Sequence, residues 1–149
     1  MKNILINRGK FINFGLLLLR ISLGFLMILH GLPKMAGGEE TWKQIGSAVE
    51  YIGISGGHVY FGMFAGIIEV VAGLMLIFGL YHSIAALLLA LVMMIAFFFK
   101  LNTTEGYIPV AHPLKMFFVF IGLGITGPGN YSIDHKFLIN IYDKGNTDT

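Results

Sequence analysis

Cysteine is absent from this chain of 149 residues. Without a thiol, the sequence can form no disulfide, bind no iron–sulfur cluster and carry out no cysteine redox chemistry. Any part that the protein takes in electron transfer would therefore need a redox group supplied by another molecule. The sequence also shows no nucleophile paired with a base and no two carboxylates placed for hydrolysis, so it does not indicate a hydrolase.

Charge is also scarce, because Asp, Glu, Lys and Arg make up only 12% of the residues. Soluble domains average about 25%. The net charge of +2 is too small to indicate a nucleic-acid partner, whereas hydrophobic residues make up 56% of the chain. This composition predicts an integral membrane protein with one domain over residues 1–149, surrounded by the lipid bilayer.

Long apolar runs predict four membrane-spanning helices, since a helix needs about 20 apolar residues to cross a bilayer. The predicted spans are 11–32, 59–80, 82–101 and 108–126. Apolar residues at helical spacing over 41–54 predict a short amphipathic helix on the membrane surface. An ordinary loop helix packed on the bundle is the alternative. The expected fold is therefore all-α, a four-helix membrane bundle with a short surface helix between spans one and two.

Basic residues predict the orientation of this bundle. Lys2, Arg8 and Lys10 precede the first span, and such residues are enriched on the cytoplasmic side of membrane proteins. Four spans then place both termini in the cytoplasm. The first span is expected to be retained, because it is too long for a signal peptide and lacks a small-residue cleavage pattern.

Two charges interrupt the apolar runs, Arg20 in the first span and Glu69 in the second. A charge at bilayer depth costs on the order of 3 kcal/mol. Counted from the cytoplasmic ends of their spans, the depths of the two residues differ by only about 3 Å. We therefore expect Arg20 and Glu69 to form an ion pair inside the bundle. Two interpretations stay open: a structural lock that sets helix register, and a polar pocket that binds a head group or passes a proton.

A second polar group is expected at the outer ends of the spans. Its members are His30, Lys34, His58, His112 and Lys115. His30 and Lys34 are four residues apart and so share one side of a helix. Histidines from different helices can bind a metal or a haem, or hydrogen-bond to a quinone or lipid head group. Polar side chains without any ligand are the third interpretation. We favour hydrogen bonding and predict no metal site.

Several motifs resemble the DoxX family of membrane proteins. They are Arg20-x-x-x-Gly24 leading to His30-Gly31-Leu32-Pro33-Lys34, then Gly66-Ile67-Ile68-Glu69 followed by Gly73 and Gly79, and finally Gly127-Pro128-Gly129-Asn130-Tyr131-Ser132-Ile133-Asp134. The ordered set covers most of the chain and is more specific than any one motif. The resemblance implies a four-helix protein of the bacterial inner membrane. Some family members resemble the membrane subunit of a thiosulfate:quinone oxidoreductase or associate with redox-stress enzymes.

These observations together lead to one functional hypothesis and one alternative. The hypothesis is a redox-associated membrane subunit that binds quinone, has no covalent cofactor and works with a soluble or membrane oxidoreductase subunit. Arg20 and Glu69 would set the polarity of the cavity, His30 and His112 would bond the quinone oxygens, and Lys34 would favour the reduced anion. The alternative is a non-redox scaffold or small-solute carrier with a structural Arg–Glu pair. A small-residue face on the second span is suited either to internal packing or to a homo-oligomer.

Overall fold

Helices account for nearly all of the chain in the computed structural model, which describes residues 2–137 and their side chains from Gly9 onward. No β-strand occurs within this range. The five α-helices are α1 (Lys2–Ala36), α2 (Gly38–Gly46), α3 (His58–Phe78), α4 (His82–Thr103) and α5 (Tyr107–Thr126), and a 3₁₀ helix (Ser47–Ile52) follows α2. The predicted all-α fold is thus confirmed.

Four of these helices, α1, α3, α4 and α5, are long and apolar enough to cross a membrane. Their outward faces carry large hydrophobic side chains that are roughly half exposed, such as Phe25, Phe64 and Leu91. Because water would penalise such a surface, these faces belong in the lipid bilayer. The protein is therefore a multi-pass membrane protein.

The predicted spans match the observed helices except at α1. This helix begins well before residue 11 and continues past Pro33 to Ala36. A proline near the end of a helix removes one backbone hydrogen bond and need not end it at once. The segment predicted as one surface helix over 41–54 instead begins at Gly38 and tightens into the 3₁₀ helix at Ser47.

Glycines bring α1 and α3 close together in antiparallel register. A methyl group added at Gly24 would lie 2.5 Å from the carbonyl oxygen of Gly73, and one added at Gly31 would lie 2.9 Å from that of Gly66. Only a residue without a side chain permits this approach. Gly66 also contacts Lys34, so the small-residue face of α3 serves packing within the chain.

The bundle has two unlike ends. One end, which we call the terminal end, holds the start of the first span, the turn at 79–81 and the C-terminal segment 127–137. The other, the loop end, holds the end of α1, all of α2 and the connection at 104–106. The turn between α3 and α4 is short, which makes them antiparallel neighbours. Buried apolar side chains fill the middle of the bundle between the two ends.

Candidate functional site

Glu69 forms an ion pair with Lys34 inside the loop-end half of the bundle. The distance from Lys34 Nζ to Glu69 Oε1 is 2.5 Å. The Glu69 side chain is fully buried, whereas the Lys34 side chain is 28% exposed. The second carboxylate oxygen, Oε2, has no hydrogen-bond partner among the residues that the structure describes. A buried carboxylate oxygen without a partner is costly, so it marks a position where a hydrogen-bond donor would be stabilised.

Packing around Lys34 holds its backbone in place. The indole Nε1 of Trp42 in α2 donates a hydrogen bond of 2.8 Å to the carbonyl oxygen of Lys34. That carbonyl lies in the last turn of α1, where helix carbonyls lack partners within the helix. The positive charge of Lys34 also suits this end of the helix, because the helix dipole is negative there. Trp42 is the single tryptophan of the chain, so it can report on this site.

Two histidines from different helices lie beside each other at the loop end of the bundle. The ring centroids of His30 and His112 are 6.4 Å apart, and the ring planes are tilted by 60°. Both side chains are exposed, and His30 lies one helical turn before Lys34. We call His30, Lys34, Glu69 and His112 the loop-end cluster. His58 is not part of this cluster, because its Nε2 lies 3.0 Å from Oε1 of Glu50.

The loop-end cluster offers hydrogen-bonding groups and one ion pair. Within residues 2–137, no three His, Cys, Asp or Glu side chains are grouped so that they could hold a metal ion. The imidazoles and the ammonium can donate to an oxygen ligand, and the Glu69 carboxylate can accept or hold a proton. Chemically, the site is suited to a small polar head group that carries oxygen atoms.

Arg20 lies elsewhere, so the predicted Arg20–Glu69 ion pair is wrong. The Arg20 side chain is fully buried, but its Nη2 donates a hydrogen bond of 2.7 Å to the carbonyl oxygen of Tyr131. Asp134 is the acidic group near enough to attract its charge. The Nε and Nη1 groups have no acceptor among the described residues. Arg20 therefore holds the C-terminal segment and takes no part in the loop-end cluster.

The helix register explains why these two charges do not meet. In the register set by the glycine contacts, Arg20 lies level with Ile77, about 12 Å from the level of Glu69. In addition, helix side chains tilt toward the N-terminus of their own helix. Arg20 therefore points toward the terminal end, while Glu69, on the antiparallel α3, points toward the loop end. Lys34 tilts along α1 in the same direction as Arg20, and because it lies near the loop end, this direction brings it toward Glu69.

Asp134 completes a second polar group at the terminal end, which the sequence analysis missed. Its two carboxylate oxygens accept hydrogen bonds of 2.8 Å each from the backbone N–H groups of Tyr81 and His82. Its own N–H donates to the carbonyl oxygen of Gly79 at 3.0 Å. Asp134 thus caps the start of α4, a role usually filled by the residue just before a helix. The signal in the sequence was the lack of a capping side chain there, where Tyr81 precedes His82.

His82 is the other residue of the terminal end that sequence reasoning missed. Its side chain is fully buried, and its Nε2 lies 3.0 Å from the carbonyl oxygen of Leu123. A carbonyl can only accept, so Nε2 carries the proton in this contact. Asn13 adds a further tie, because its side-chain oxygen accepts a hydrogen bond of 2.9 Å from the N–H of Asn130. Arg20, His82 and Asp134 form what we call the terminal-end cluster, which closes this end of the bundle.

Comparison with known proteins places the chain in a family. The sequence profile of the DoxX family matches residues 15–101, which run from α1 to α4. The chain belongs to the DoxX family. A protein of Haemophilus influenzae, described as an uncharacterized protein, is 30% identical to this DoxX protein over an alignment of 142 residues. The alignment covers 88% of this chain and 96% of the relative. No solved structure matches the sequence of this DoxX protein. The matched region includes Arg20, Lys34 and Glu69 and ends before His112.

Proposed function

We propose that this DoxX protein is a quinone-binding membrane subunit of a redox system, and that the loop-end cluster binds the quinone head group. One observation carries the proposal: the buried Glu69 carboxylate has an oxygen without a described partner, and a paired lysine lies beside it. A polar pocket within the membrane suits a lipid-soluble ligand whose reactive group is polar. We further propose that the protein resides in the bacterial inner membrane with both termini in the cytoplasm.

Each side chain of the loop-end cluster has a distinct role in this proposal. His30 and His112 donate hydrogen bonds to the quinone oxygens, because their exposed rings lie 6.4 Å apart at the loop end of the bundle. The Lys34 ammonium stabilises the negative charge that develops on those oxygens during reduction. Glu69 holds a proton near them, since its Oε2 is available. Arg20 has no role in the pocket, because it binds the C-terminal segment.

We propose that the electrons come from a partner, since the chain contains no cysteine to ligate an iron–sulfur cluster of its own. Reduction of one quinone to the quinol takes up two electrons and two protons. We propose that an oxidoreductase carrying a reduced flavin or iron–sulfur centre supplies the electrons. The loop-end cluster would then supply the site of protonation.

Trp42 provides a direct test of quinone binding. Quinones quench tryptophan fluorescence at short range, and the indole of Trp42 is hydrogen-bonded to the backbone of Lys34. Purified protein in lipid nanodiscs is titrated with a short-chain ubiquinone analogue and, separately, with a menaquinone analogue. We expect saturable quenching of Trp42 by at least one of them. Quenching that rises without saturation would show only partition into the lipid and would refute the proposal.

Matched variants assign that quenching to the site. Glu69→Gln removes the buried charge but keeps the shape, and hydrogen bonds to charged groups contribute about 1.5–3 kcal/mol. We therefore expect binding to weaken by about tenfold or more. Glu105→Gln makes the same chemical change at an exposed position of the same end and should leave binding unchanged. Equal affinities in the two variants would remove Glu69 from the site.

A further inference from the structure

An apolar layer separates the loop-end cluster from the terminal-end cluster. On α3, the buried residues between Glu69 and Gly79 are Ala72, Gly73 and Leu76. Buried residues of the other helices complete the layer, and all of them are apolar: Met27, Ala85, Ala86, Leu89, Phe120 and Leu123. The layer is about 15 Å thick, because Glu69 and Gly79 are ten positions apart along the helix axis. A layer of this kind without polar groups excludes water.

Glu69 has a polar connection in the opposite direction only. Lys34 is hydrogen-bonded to Glu69 and is 28% exposed near the end of α1. Further titratable groups lie on this side, among them the exposed His30, His112 and Glu105. Toward the terminal end, the next ionisable group lies beyond the apolar layer. Among the residues that the structure describes, a proton that leaves or reaches Glu69 therefore has polar carriers toward the loop end and none within the apolar layer.

We propose that water and protons reach Glu69 from the loop end only, so that the loop-end cluster is a one-sided pocket. The consequence for redox chemistry rests on the proposed function: both protons that a bound quinone takes up enter from the loop-end side of the membrane. This one-sided access follows from the packing and does not require that the ligand be a quinone.

The absence of cysteine makes the native chain a suitable background for a test by thiol labelling. Maleimides react with the thiolate, which does not form in a dry apolar interior. Glu69→Cys is exposed to a membrane-impermeant sulfonated maleimide in oriented vesicles, from one side and then from the other. Glu105→Cys and Lys10→Cys, both at exposed positions, identify the loop-end and terminal-end sides. No quinone is added, so this test can fail independently of the proposed function.

A matched pair of substitutions keeps the Lys34–Glu69 ion pair intact. Ala65 and Ala72 flank Glu69 by about one turn of α3, Ala65 toward the loop end and Ala72 within the apolar layer. We expect Ala65→Cys and Glu69→Cys to be labelled from the loop-end side alone, and Ala72→Cys from neither side. Labelling of Glu69→Cys or Ala72→Cys from the terminal end would overturn the proposal. The absence of labelling at Ala65→Cys would also overturn the proposal. This variant keeps Glu69 in place, so it tests access to the site even if Glu69→Cys does not fold.

Discussion

Exchanging the charges of Lys34 and Glu69 tests which ion pair stabilises the bundle. Lys34→Glu alone places two carboxylates together, and Glu69→Lys alone places two ammonium groups together. The double substitution restores one charge of each sign at the same two positions. We expect both single variants to be strongly destabilised and the double variant to recover most of the loss.

The magnitude follows from the burial of the pair. Glu69 is fully buried, and breaking a buried ion pair by removing one partner costs about 3–5 kcal/mol. Lys34 is 28% exposed, so part of the cost on its side is relieved by rotation toward the membrane surface. For a protein of this size, such a loss corresponds to a fall in melting temperature of roughly 10 °C.

Thermal unfolding in mild detergent, followed by circular dichroism and by Trp42 emission, measures these differences. The control is the double variant Arg20→Glu with Glu69→Arg. It should not recover stability, because Arg20 and Glu69 are about 12 Å apart along the helix axes and their side chains point in opposite directions. Recovery in the control, or no recovery in the Lys34–Glu69 exchange, would refute Lys34 as the partner of Glu69.

Four further substitutions have outcomes that the packing and capping contacts predict. Gly24→Ala should destabilise the protein by about 1–3 kcal/mol, because the new methyl group would meet the carbonyl of Gly73. Gly122→Ala, at a position with open space, should be neutral or stabilising by about 0.5–1 kcal/mol, and thermal unfolding compares the two. Asp134→Ala removes the cap of α4 and should cost about 1–2 kcal/mol in the same assay. Arg20→Met should release the C-terminal segment, so that limited proteolysis cuts after residue 126 faster than in the wild type.

The four spans and the buried character of two charges could be predicted because each depends on local composition. A run of about 20 apolar residues crosses a bilayer wherever its neighbours lie. A lone charge in such a run must face the bundle interior, since lipid offers it no partner. Both Arg20 and Glu69 are indeed fully buried. His30 and Lys34 were expected near each other because a helix places residues four apart on one side.

The partners of these charges depend on the tertiary structure. Counting residues from the span ends places Arg20 and Glu69 within about 3 Å of the same depth, but the glycine contacts between α1 and α3 shift the register by about 9 Å, or nearly two turns. Segments far apart in the chain supply the remaining partners, since Tyr131 and Asp134 return to the start of α4 and to Arg20. Hydropathy and periodicity describe one helix at a time. The relative shift of two helices and the path of a terminal segment are determined by contacts between them, which no pattern within a single helix contains.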